Sequence, residues 1–123
     1  DGVEVLGRLS DQELAERYRR AWVFSLPSTY EGFGVPYIEA MASGTPVVAT
    51  PNVGAREVLG DGDFGNVVPD DEVGSAIVEL LRNGSKRQRL REVGLQRAAE
   101  YSWESVVDRY ERVYSELLAN PRR

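Results

Sequence analysis

The sequence predicts an α/β fold in which a parallel sheet of about four short strands is covered on both faces by helices. Three observations carry this reading. Short apolar, β-branched runs recur at Val3–Leu6, Trp22–Leu26, Pro46–Thr50 and Gly65–Pro69, as buried strands do. Segments of helical period and helix-capping signals lie between and after them. Strands that alternate with helices assemble into parallel sheets with the helices packed outside.

The elements follow in order. After the first strand and Gly7–Arg8, Ser10 and Glu13 form a capping box, with Leu9 and Leu14 as its hydrophobic staple, which predicts a helix from near Asp11 to about Arg20. Trp22–Leu26 is the second strand, closed by Pro27. A polar loop containing Gly32 and Gly34 leads to a helix over Pro36–Ser43, started by Pro36 and stopped by Gly44. Pro46–Thr50 is the third strand. Pro51–Gly54 reads as a turn and Ala55–Leu59 as a helical turn. The acids at 70–72 suit the positive end of a helix dipole, and Val73, Ala76, Ile77, Leu80 and Leu81 share one face of the helix they open. Asn83–Gly84 ends that helix, Ser85 and Gln88 form a second capping box opening a helix to about Glu100, and Ser102 caps the last. There Trp103, Val106, Val107, Tyr110, Val113, Tyr114, Leu117 and Leu118 form one stripe, read as core or inter-domain packing. Residues 119–123 read as a frayed tail.

Composition bounds the function. The 123 residues are 41% hydrophobic and 28% charged, which suits one globular domain over residues 1–118. The absence of cysteine and histidine removes disulfides, cysteine–histidine zinc sites and any catalytic triad that needs either residue. A net charge of −5 argues against nucleic acid as a partner. No apolar run reaches the roughly 18 residues of a membrane span, and Asp1–Glu4 lacks the character of a signal peptide. A cytoplasmic location is therefore expected.

Residues 27–46 are the passage that reads as a site. A strand delivers the chain into a glycine loop, and a helix starts at once, so its amides and dipole favour an anion or an electron-rich oxygen. The N–H groups of Val35, Tyr37 and Ile38 are the expected donors. Glu31 in the loop and Glu39 on the helix are expected to face one pocket and to accept hydrogen bonds from ligand hydroxyls. In parallel sheets ligands bind beyond the carboxyl ends of the strands, where residues 28–39 and 51–57 both fall.

The passage Pro27-Ser-x-x-Glu31-Gly32-Phe33-Gly34-x-Pro36-x-x-Glu39-Ala-Met-Ala-x-Gly44-x-Pro46-Val-Val resembles the donor-binding motif of the retaining GT-B glycosyltransferases of family 4, with its Glu-x7-Glu signature at Glu31 and Glu39. The resemblance runs from Val5–Ser10 to the helix after Ser102. It implies a Rossmann-like fold, the later part of the second, C-terminal domain of a two-domain enzyme. The N-terminal acceptor domain and the first strands of the donor domain, with their phosphate-binding basic residues, are absent by this comparison. Strands would then be lacking between the Val3 and Trp22 strands, and open sheet edges invite self-association.

By the resemblance, the donor is a nucleotide diphosphate sugar, UDP- or GDP-linked, transferred with retention and without a metal. Glu31 would contact the sugar hydroxyls, Glu39 the ribose, and Gly32, Phe33, Gly34 and Val35 would present backbone amides. Ser28 and Thr29 either reach the phosphates or cap the turn. No nucleophile or base is identified in this chain. The full-length protein would be cytoplasmic or peripheral at the inner membrane face, and the fragment alone is expected to be inactive.

Other readings compete with this one. Asp61-Gly62-Asp63 matches a metal-binding pattern of glycosyltransferases of another fold, but its glycine-rich setting reads as a turn. A glycosidase also uses two carboxylates, yet would leave the helix-start anion site without a use. A nucleotide-sugar-binding or structural half-domain without catalysis is the main alternative.

Overall fold

The computed structural model describes residues 2–120. Within them the order is α1 (Asp11–Arg20), β1 (Phe24–Leu26), α2 (Val35–Ala42), β2 (Val47–Ala49), α3 (Val53–Leu59), β3 (Asn66–Val67), α4 (Val73–Arg82), α5 (Gly84–Ala99) and α6 (Trp103–Ala119), with tight helical turns at Gly60–Gly62 and Asp70–Glu72. The three strands form one parallel sheet in the order β1-β2-β3, with Ser25 opposite Val48 and Val48 opposite Asn66. The class is as predicted, with three strands rather than about four. Residues 3–6 have no strand to pair with among the described residues, and Val3 and Val5 are exposed. A short apolar run becomes a strand only when a neighbour takes up its amides and carbonyls.

Alternation along β2 divides the core. Val47 and Ala49 pack on one face with Tyr18, Tyr37, Met41, Val58 and Leu59. Val48 points to the other face, against Ala76, Leu80 and Leu90 of α4 and α5. All three β2 residues are fully buried. Helices therefore cover both sheet faces, and α5 serves both by giving Leu90 to one and Ala98 to the other. A Cβ at Gly94 would lie 3.2 Å from Met41 Cγ, so the glycine is what lets α5 lie close to α2.

Three local predictions are revised. The turn expected at Pro51–Gly54 is an N-cap and a helix start, because the Asn52 side chain accepts from the Ala55 N–H at 2.8 Å. The capping box expected at Ser85 and Gln88 does not form: Asn83 takes the cap by accepting from the Lys86 N–H, and Gln88 donates to Glu92. The stripe on α6 is not core, since no residue of that helix is buried. Of the predicted tail, Ala119 ends α6 and Asn120 is its C-cap, and residues 121–123 lie outside the described residues.

Candidate functional site

At the carboxyl end of β1 the chain turns into residues 27–34, and the next strand holds that loop by its own last residues. The Thr50 hydroxyl donates to the Ser28 carbonyl and accepts from the Ser28 N–H, both at 2.8 Å. The buried Asn52 amide donates to the same carbonyl at 3.1 Å and to the Thr50 carbonyl at 3.2 Å. Tyr37, fully buried on α2, donates its hydroxyl to the Leu26 carbonyl at 3.3 Å and accepts from Asn52 at 3.4 Å. Its burial raises its pKa above the ordinary value, which keeps the hydroxyl protonated as a donor.

Two glycines set the loop's shape. Gly34, the N-cap of α2, has φ +87°, in the left-handed region that side chains disfavour. A Cβ there would also lie 2.5 Å from the Tyr37 ring. Gly54, in the first turn of α3, lies directly beneath the loop: a Cβ would meet the Phe33 carbonyl carbon at 2.9 Å and Glu31 Cβ at 3.1 Å. Loop and helix backbones are therefore in contact across this point.

The predicted residues fall as follows. Ser28 donates its hydroxyl to the Tyr30 carbonyl at 2.9 Å, which caps the turn, and Thr29 is exposed. Glu31 is half-buried beside Gly54. Phe33 packs edge-on against Tyr101, with centroids 5.7 Å apart. The N–H groups of Tyr37 and Ile38 are not free, because both donate to the Gly34 carbonyl. Among the described residues the loop amides from Thr29 to Val35 have no protein acceptor, and the last four of them are those of Gly32, Phe33, Gly34 and Val35. They form a consecutive row leading into an α2 start that no side chain caps.

Neither of two cavities beside the loop and α2 takes in both carboxylates. Glu39, exposed on α2, accepts from the Tyr18 hydroxyl at 3.3 Å and lines a cavity of about 240 Å³ with Leu14, Tyr18 and Ser43. Burial, then the nearby Glu39 charge and its hydrogen bond, push the Tyr18 pKa up to about 12. A second cavity of about 260 Å³ is lined by Gly32, Phe33, Val53, Gly54, Arg56, Glu57 and Asp61. Glu31 lines neither. The Asp61-Gly62-Asp63 segment is a turn as expected, and Asp61 pairs with Arg56 at 2.8 Å.

Several positioning residues escaped the sequence reading. Thr50, Asn52, Tyr37 and Gly54 hold the loop, and Arg97 of α5 supports its far side. The Arg97 guanidinium donates to the Glu57 and Val58 carbonyls at the end of α3 and lies 5.0 Å from the centre of the Tyr101 ring beneath Phe33. Asn52 did have a local signal, an Asn immediately before an apolar helical segment. Its neighbours Pro51 and Gly54 favoured the turn reading instead.

This architecture has close relatives. Residues 1–97 match the family model described as Glycosyl transferases group 1. The chain is 40% identical over 124 aligned residues to an MMP alpha-(1->4)-mannosyltransferase of Mycolicibacterium hassiacum, covering 97% of this chain and 30% of that protein. It is 38% identical over 122 residues to a phosphatidyl-myo-inositol mannosyltransferase of Mycobacterium leprae, covering 96% of this chain and 33% of the relative. Among solved structures, sucrose-phosphate synthase of Thermosynechococcus elongatus matches with a TM-score of 0.79 and 32% identity, over 93% of this chain and 30% of that one. The chain thus spans about a third of the length of these relatives, and its sheet and helices correspond to the Rossmann-like part of a GT-B fold. The chain belongs to the glycosyl transferases group 1 family.

Proposed function

We propose that the protein to which this chain contributes transfers a hexosyl group from a nucleotide diphosphate sugar to an acceptor hydroxyl, with retention of configuration and without a metal, and that residues 28–39 receive the donor. The observation that carries this reading is that the run of loop amides without a protein acceptor among the described residues ends in Gly32 to Val35, at the carboxyl end of a parallel sheet and continuous with an uncapped helix start. Such a row suits the oxygens of a sugar or diphosphate. It stabilises the charge on a departing diphosphate without reorganising. Glu31 accepts from the sugar hydroxyls and Glu39 from the ribose. No residue here is assigned as nucleophile or base, and acceptor recognition is assigned to sequence outside this chain. Two relatives are named mannosyltransferases, so mannose is the first sugar to test.

The test is calorimetric titration with UDP, GDP, UDP-glucose and GDP-mannose. Saturable binding of one pair is expected, with the sugar nucleotide bound more tightly than its parent nucleotide. In the complete protein Glu31→Ala and Glu39→Ala should each weaken donor binding by about 1–3 kcal/mol, the cost of leaving a ligand hydroxyl without its acceptor. Unchanged affinity in both variants would refute the site.

A further inference from the structure

A second feature, at the opposite end of the sheet, stands independently of the donor loop. A cleft of about 450 Å³ opens at the amino ends of the strands, where Trp22 precedes β1 and Pro46 precedes β2. Four arginines line it, Arg19 and Arg20 from the end of α1 and Arg87 and Arg91 from α5, and among the described residues no carboxylate does. None of the four is in an ion pair among the described residues. In a chain with 20 acidic and 15 basic residues, four unpaired cations around one hollow are unexpected, since like charges held together repel.

Structural roles account for only part of the cluster. Arg19 and Arg20 sit in the last turn of α1, where a cation complements the helix dipole. Arg87 donates through one nitrogen to the Leu80 and Leu81 carbonyls at the end of α4. That leaves its other nitrogens for a ligand, with the guanidinium fixed 4.5 Å from the Trp22 ring centre. Arg91 makes no such bond among the described residues: its guanidinium lies over Gly44, and a Cβ there would approach it to 3.0 Å. With φ +76°, Gly44 both ends α2 and leaves the space that Arg91 occupies. The dipole accounts for the two arginines on α1 but not for their meeting with two from α5.

We propose that this cleft binds a phosphate-bearing anion, held by the guanidinium groups of Arg19, Arg20, Arg87 and Arg91 beside the Trp22 ring. Planar guanidinium forks match phosphate oxygens two at a time and give up their hydration more readily than ammonium groups. An anion here neutralises the cluster and bridges α1 to α5. The source of the phosphate is either a free soluble phosphate or the headgroup of an anionic lipid.

The chain holds two tryptophans, so Trp103→Phe leaves Trp22 as a fluorescent reporter inside the cleft. This variant is titrated with pyrophosphate, and separately with phosphatidylcholine vesicles with and without phosphatidylglycerol. A saturable change with pyrophosphate identifies free phosphate as the ligand, and a change with the anionic vesicles alone identifies a headgroup. In either case adding Arg20→Gln and Arg91→Gln should weaken binding about tenfold or more, and raised salt should weaken it further. Among the described residues neither Arg20 nor Arg91 is tied to a protein acceptor, so these changes spare the fold, which circular dichroism checks. No response to either probe, or equal affinity after the two substitutions, overturns the proposal.

Discussion

Gly54 shows how a single hydrogen atom in place of a methyl group can shape a binding loop. With Phe33 backbone 2.9 Å from where its Cβ would be, Gly54→Ala cannot be absorbed by a side-chain rotation and must push loop and helix apart. Overpacking of this kind costs about 1–3 kcal/mol, so the urea midpoint should fall and the amide resonances of Gly32 to Val35 should move. A variant with the parent's midpoint and unmoved resonances would show that the contact is slack. The sequence marked Gly34 correctly, because a glycine before a proline-initiated helix is a local signal. Gly54 reads as a turn glycine in the sequence, because its reason lies in a segment distant along the chain. The same holds for Thr50 and Tyr37, whose partners Ser28 and Leu26 are met only through the sheet.

At the level of elements, local chemistry was legible and pairing was not. Ser10 and Glu13 form their capping box as written, since both partners are three residues apart. Residues 3–6 have strand composition but no strand neighbour among the described residues. The α6 stripe is the clearest case: its periodicity specifies a helix correctly, but periodicity cannot say what the apolar face meets. From Val107 to Asn120 every residue is exposed, and helices held only by their own hydrogen bonds are marginal in water. In the monomer, at low concentration, hydrogen exchange should therefore find the α6 amides after Val107 exchanging orders of magnitude faster than those of Val47–Ala49 in β2. Protection equal to that of β2 would mean that α6 is covered in solution.

For the whole molecule, surface area is the informative quantity. The chain exposes 8810 Å², whereas a compact monomer of its 13.7 kDa exposes about 6600 Å². The excess, about 2200 Å² by the same scaling, is well above the roughly 800 Å² that one partner gives to a standard-size interface. It includes the exposed Val3 and Val5 and the α6 residues Trp103, Tyr110, Tyr114 and Leu118. We therefore expect the isolated chain to self-associate, with a light-scattering mass that rises with concentration. A constant monomer mass across a wide concentration range would count against this. The length of α6 has one more consequence. Its 17 residues make a rod of about 25 Å, attached at one end to the body. Such a molecule does not tumble as a sphere. Its rotational diffusion is anisotropic, and the drag on the rod slows its sedimentation below that of a round protein of equal mass.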